Sequence, residues 1–347
     1  MKYSKLTYYL LAILCMIATS CVTDGVMDDC SDNGKKGSVL IEGGRVNLIL
    51  SLPAASTRGV TGEYDNGTEK ERKINDVQIY TFVNGRFVDE VQYILISGVD
   101  GEATRYVEGK LSASYVNGAA MEFVIIANAK SKGVTGITIN EGSSKNDLYN
   151  QLVYTYAGKD WSENIPMWGT ATLAHITEGT WNVGEVTLKR AIAKVNVTVN
   201  EGKGLSGFEI TEIRLHNYNT EGYCAPVGND GPSVPATSRQ LASNILTSGS
   251  RLTADNRNDF KDIFYIPEHR NTGVSEDLKV YLTIKATVNG SPKNYTLSFV
   301  ENGETYDVLR NYMYVFNIIS VKTEVDSELE YEVLSWNHET VEVPPFN

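Results

Sequence analysis

A period of two, repeated over many short runs, constrains this chain's fold more than any other feature. Val46, Leu48, Leu50 and Leu52 alternate with Asn47, Ile49 and Ser51 before Pro53 ends the run. Val77, Ile79, Thr81 and Val83 alternate with Gln78, Tyr80 and Phe82, and Asn84-Gly85 then makes a tight turn into Phe87. Later, Val195, Val197 and Val199 stand opposite Lys194, Asn196 and Thr198, and Val280, Leu282, Ile284, Ala286 and Val288 stand opposite Tyr281, Thr283, Lys285 and Thr287. Successive side chains of a strand point to opposite faces, so each run predicts a strand with one buried face. Further strands are expected at 106–115, 121–128, 208–217, 295–300, 312–321 and 329–336. Only Ser144–Tyr154 has helical spacing, through Leu148, Tyr149, Leu152 and Val153. Short strands punctuated by Gly, Asn and Pro imply an all-β chain with a minor helix, arranged as two tandem β-sandwich domains of Greek-key type. The expected boundary lies near residue 184, after a loop carrying Trp161, Trp168 and Trp181.

The amino terminus reads as an address. Lys2 and Lys5 precede the apolar stretch from Leu10 to Ala18, and Ala18-Thr19-Ser20-Cys21 follows. This is the order of a secretory signal over residues 1–20, too short to span a membrane. A cysteine directly after the small residues resembles a bacterial lipobox, which implies that Cys21 takes a lipid and begins the exported chain. Acyl chains then anchor the protein without a span. Residues 22–37 are polar and Gly-rich, a tether. The formal net charge of -12 disfavours nucleic acid as a partner. Cys15 leaves with the signal; Cys30 and Cys224 either pair or remain two thiols.

Catalytic and cofactor signals are weak. His175, His216, His269 and His338 are scattered, and no HExxH, GxSxG or Walker-type loop occurs. Residues 202–207 fit GxGxxG, but the following Phe208-Glu209-Ile210-Thr211 is strand-like where a dinucleotide site needs a helix, so a hairpin loop is expected. Residues 29–34 fail as a calcium loop because the twelfth position is Leu40. Neither an enzyme nor a cofactor is expected. The three tryptophans read as packing residues, or else as stacking platforms of a glycan-binding lipoprotein.

Several segments, taken in order, resemble the fimbrillin family, the lipoprotein pilin precursors of the type V pilus. They are Thr57-Arg58 after the first strand, Ile74-Asn75-Asp76-Val77-Gln78-Ile79-Tyr80, and Phe123 to Ala129 ending in Ala-Asn-Ala. Leu188-Lys189-Arg190-Ala191-Ile192-Ala193-Lys194-Val195, Tyr265-Ile266-Pro267-Glu268, Arg310-Asn311 with Tyr314, and Trp336 continue the series. The resemblance implies transthyretin-like sandwiches and a precursor lipidated at Cys21 in the outer membrane. A trypsin-like, Arg-specific protease would cut it after Arg58. Residues 21–58 would then be a propeptide, 59–184 the first sandwich and 185–347 the second. A tail strand with Tyr331, Val333, Trp336, Val341 and Val343 would be donated to another pilus subunit, giving a surface fimbria. A pilus anchor or a tip adhesin of the same family is the alternative role.

Overall fold

The computed structural model describes residues 39–335, apart from 53–54, 57–63, 66, 157–160, 162, 200–206, 229–230, 237, 239–245, 248–258, 302 and 322–328. Nearly all its regular structure is strand. The first half begins with β1 (Leu40–Glu42), which pairs with β9 (Ser114–Val116). One four-stranded sheet is ordered β13-β2-β8-β7: β2 is Arg45–Ser51, β7 Gln92–Ser97, β8 Thr104–Lys110 and β13 Thr180–Thr187. A five-stranded sheet runs β14-β12-β10-β5-β6, from β5 (Val77–Val83), β6 (Arg86–Glu90), β10 (Met121–Ala127), β12 (Met167–Leu173) and β14 (Lys189–Arg190). The short strands β3 (Ala55–Ser56) and β4 (Tyr64–Asp65) pair with each other.

Two four-stranded sheets make the second half. One is ordered β19-β15-β24-β25: β15 Ala193–Val199, β19 Asp259–Ile266, β24 Met313–Val321 and β25 Leu329–Ser335. The other is β18-β16-β20-β21: β16 Phe208–His216, β18 Leu246–Thr247, β20 Tyr281–Val288 and β21 Ser291–Ser298. A small pair, β22 (Val300–Glu301) and β23 (Glu304–Thr305), closes this half. Strand β11 (Val153–Thr155) pairs with β17 (Glu221–Tyr223), tying the two halves through backbone hydrogen bonds. The inward faces of both halves merge into one apolar cluster.

Period two works where one face is wet. In β8, Arg105 and Val107 are buried while Thr104, Tyr106 and Glu108 are exposed. In β5 and β10 nearly every residue is buried, because Leu148, Leu152 and Ile165 join the core cluster with them. The predicted turn at Asn84-Gly85 is present, with φ of 51° and 72°, as a two-residue hairpin needs. At Gly169 a Cβ would sit 2.6 Å from the Thr187 carbonyl oxygen, so only glycine lets β12 pass there.

Several elements differ from expectation. The helix α1 covers only Lys145–Tyr149, started by a capping box between Ser144 and Asp147. The chain beyond Leu152 is taken by β11 instead. The predicted strand 106–115 is two strands, β8 and β9, in different sheets. The loop expected around Trp168 and Trp181 contains β12 and β13, whose alternation is masked by Gly169 and by a bulge between Asn182 and Gly184. The expected hairpin loop at 202–207 lies, but for Gly207, outside the described residues; the strands on either side, β15 and β16, lie in different sheets, and the segment after Gly207 is a strand as expected. Residue 184 itself falls within β13.

Candidate functional site

The apolar run that opens the chain's sheet structure becomes an interior strand. Val46, Leu48, Leu50 and Leu52 are all 4% exposed or less. On one side β2 pairs antiparallel with β8 over seven positions, from Arg45 opposite Lys110 to Ser51 opposite Thr104. On the other it pairs parallel with β13, and the Asn47 Nδ2 donates to Asn182 Oδ1 at 3.2 Å. An edge strand could leave a sheet with one ladder broken; withdrawing β2 together with Leu52 breaks two ladders and empties four apolar positions. Straight after it come β3 and β4, which pair over only two positions. Arg58 lies among residues 57–63 that connect them, outside the described residues.

The chain then enters a 3-10 turn, Lys70–Arg72. Glu71 within it is buried and forms an ion pair with Lys194 at 2.9 Å, both side chains being 4% exposed or less. Tyr265 Oη donates to Glu71 Oε1 at 2.7 Å, and the Thr68 amide donates to Oε2 at 2.5 Å. Burial pushes the Glu71 carboxyl up, but the Lys194 charge and the hydrogen bonds from Thr68, Lys194 and Tyr265 outweigh it and hold the group below its ordinary value. A depressed carboxyl stabilises fully above its unfolded value and loses that contribution as pH falls through the folded one. Wild-type stability is therefore expected to fall in acid below about pH 4.3. Glu71→Gln should be less stable at neutral pH and lose less on acidification, as urea denaturation across pH would show.

The segments that resemble fimbrillins serve largely as buried polar braces. Asn128, at φ 60°, donates to the Lys73 and Ile165 carbonyls at 2.7 and 2.9 Å, and accepts from the Asn75 amide at 2.8 Å. Arg190 Nε donates to the Glu71 carbonyl at 3.4 Å, and Asn311 Oδ1 accepts from the Arg190 amide at 3.0 Å. Glu268 is met by Arg310 at 2.6 Å. Tyr314 Oη accepts from the Leu309 amide at 2.9 Å and donates to the Asp307 carbonyl at 3.1 Å.

In the tail, β25 lies antiparallel to β24 at the edge of its sheet, with Tyr331 opposite Ile318 and Val333 opposite Phe316. Trp336, Val341 and Val343, like Cys21 and Cys30, fall outside the described residues. The fold keeps β2 and β25 in separate sheets. Cys224 is a buried free thiol, which burial pushes up to about 12. Two of the three tryptophans are core residues. Trp161 packs between Tyr154 and Tyr156. Trp181 meets Tyr115 edge-on and donates to the Thr177 carbonyl at 2.5 Å. Half-buried Trp168 donates to Tyr149 Oη at 3.2 Å. They do not share an open platform for a sugar ring. Neither β13 as the partner of β2 nor Glu71 was evident from sequence: a parallel partner far along the chain leaves no local signal, and Glu71 resembles any loop acid.

Among solved structures, the fold is similar to that of the tip fimbrial protein Mfa3 from Porphyromonas gingivalis with a C-terminal truncation. The TM-score is 0.55 and the identity 16%, covering 85% of this chain and 100% of that one. It is also similar to a candidate cell adhesion protein from Parabacteroides distasonis, at TM-score 0.55 and 15% identity, covering 85% and 98%. At such identities the likeness concerns fold. No curated protein sequence matches the chain. The family model of the fimbrillin-A associated anchor proteins Mfa1 and Mfa2 matches residues 27–342, nearly the whole length. The fimbrillin resemblance thus holds, and the chain belongs to the family of fimbrillin-A associated anchor proteins Mfa1 and Mfa2.

Proposed function

We propose that this fimbrial protein is exported as a lipoprotein through Cys21, is cut after Arg58, and joins a surface pilus by taking a strand from another subunit in place of β2. The observation that carries this reading is the position of β2, an interior strand with three buried apolar side chains and buried Leu52 directly after it, followed by the segment that holds Arg58. Removing an interior strand leaves two rows of unpaired backbone groups around an apolar groove, and an extended segment satisfies both by β-augmentation. The tail from Tyr331 and Val333 through Trp336, Val341 and Val343 supplies the alternating apolar residues of a donor. Head-to-tail donation does not close, so it grows a filament.

A second reading has its own support. The matching family is described by its anchor proteins. An anchor would keep its lipid, its first strand and its place at the outer membrane. The amino terminus and mass of the protein from sheared filaments separate the two. A start at Gly59 without lipid, in a ladder of high-mass species, is expected for the polymerising subunit. Acylated Cys21 retained with the membrane would overturn it and leave the anchor.

A further inference from the structure

We propose that residues 67–73 form a proteolytic stop, pinned by Glu71, that withholds Arg72 from the Arg-specific protease, and Lys70 and Lys73 beside it from any broader trypsin-like enzyme, and so confines cutting to the segment holding Arg58. This deepens the processing scheme above and rests on it.

The need for a stop arises from the sequence. Three further basic residues lie within fifteen positions after Arg58, and a cut at any of them would release Glu71 or the chain leading to it. Side-chain exposure does not protect them all, since Lys70 is 63% exposed. A protease of this class takes its substrate as an extended segment, so the backbone must first leave its folded geometry. Before the turn, β3 and β4 share two residue pairs. Residues 67–73 are held by several further bonds. The Arg72 amide donates to the Thr68 carbonyl at 3.1 Å and the Lys73 amide to the Lys70 carbonyl at 3.3 Å. The Thr68 amide and the Glu71 carboxylate close the turn from inside. Arg72, the residue such a protease would read, turns its guanidinium inward to the Gly101 carbonyl at 2.6 Å and to the Gly67 carbonyl. Asn128 holds the Lys73 carbonyl at 2.7 Å.

Glu71 joins this turn to the second half of the molecule through Lys194 and Tyr265. To extend residues 70–73 into a protease, the buried pair must separate and leave Lys194 uncompensated, which is the costly outcome for a desolvated charge. Cutting there is then limited by the population of the opened turn.

The test is limited trypsin digestion of the full chain, with new amino termini read by mass spectrometry over time. Wild type is expected to give Gly59 early and, while folded, no termini at Glu71, Lys73 or Ile74. In Glu71→Gln termini at positions 71, 73 and 74 should appear on the order of 100-fold faster, while the strand sites Arg214 and Lys285 stay uncut. Wild-type termini at 71, 73 or 74 forming as fast as Gly59 would overturn the stop. So would a folded Glu71→Gln with the wild-type pattern. Should Glu71→Gln be cut everywhere, Tyr265→Phe, which removes one hydrogen bond and keeps the ion pair, is judged by the same criteria. Failure of the Arg58 reading shows separately, as native filaments whose subunits do not begin at Gly59.

Discussion

Glu268→Ala is expected to cost about 3–5 kcal/mol of stability, because it strands a buried guanidinium. Glu268 Oε2 accepts from Arg310 Nη2 at 2.6 Å and Nε at 2.9 Å, and from the Ser233 amide at 3.1 Å. The other oxygen accepts from the Arg310 amide at 3.1 Å, and Arg310 Nη1 reaches the Cys224 carbonyl at 3.2 Å. One carboxylate thus gathers the chain near 224, 233, 268 and 310, with side chains only 5% and 10% exposed. The urea midpoint should fall by more than about 1 M at an unchanged slope. Replacing both partners, as Glu268→Met with Arg310→Met, should recover much of the loss, since no charge is then left buried. A single-variant cost below about 1 kcal/mol would mean that the pair behaves as an exposed one.

The second large effect concerns β2. Cutting after Arg58 and stripping away the released strand removes Val46, Leu48, Leu50 and Leu52 from the core. At about 1.5–3 kcal/mol for each side chain the loss is about 6–12 kcal/mol, which rivals the roughly 5–15 kcal/mol total of an ordinary domain. The stripped protein is expected to lose its cooperative thermal transition in the first half. A peptide of residues 45–52 should restore that transition in proportion to its concentration. Calorimetry with and without the peptide measures both. A stripped protein that melts as the intact chain does would show that β2 contributes little, and would remove the physical basis for strand replacement.

Much of this architecture could be read from residue patterns. The alternation in β2 and β20 survived folding because each has a core side and a less buried side, whereas β15 is buried on both faces from Ala193 to Val197. The Asn84-Gly85 turn was legible because its backbone demands those residue types. β12 and β13 were missed where glycine and a bulge broke the period. The pairing of β2 with β13 could not be read, since register between distant parallel strands is set by tertiary packing rather than by neighbours in sequence. The fimbrillin-like segments were recognisable without their physical meaning being so. Only the fold shows that Asn128, Lys194 and Glu268 are buried and that each needs a partner there.

The parallel pairing of β2 with β13 also bears on when the protein can fold. Asn47 meets Asn182 across 135 residues of chain. The sheet that holds β2 cannot be completed until residues 180–187 have been delivered, and contacts of such long range make closure slow. Unlike a hairpin, β2 has no local partner to hold it while it waits. The intact chain folds with its own strand as the template. Were residues 21–58 lost as proposed, the remaining chain would have no intramolecular route back to that state, and its persistence would be a matter of unfolding rate rather than of equilibrium. Processing would turn a reversible fold into a one-way one, with the time before a neighbour's strand arrives as its period of greatest vulnerability.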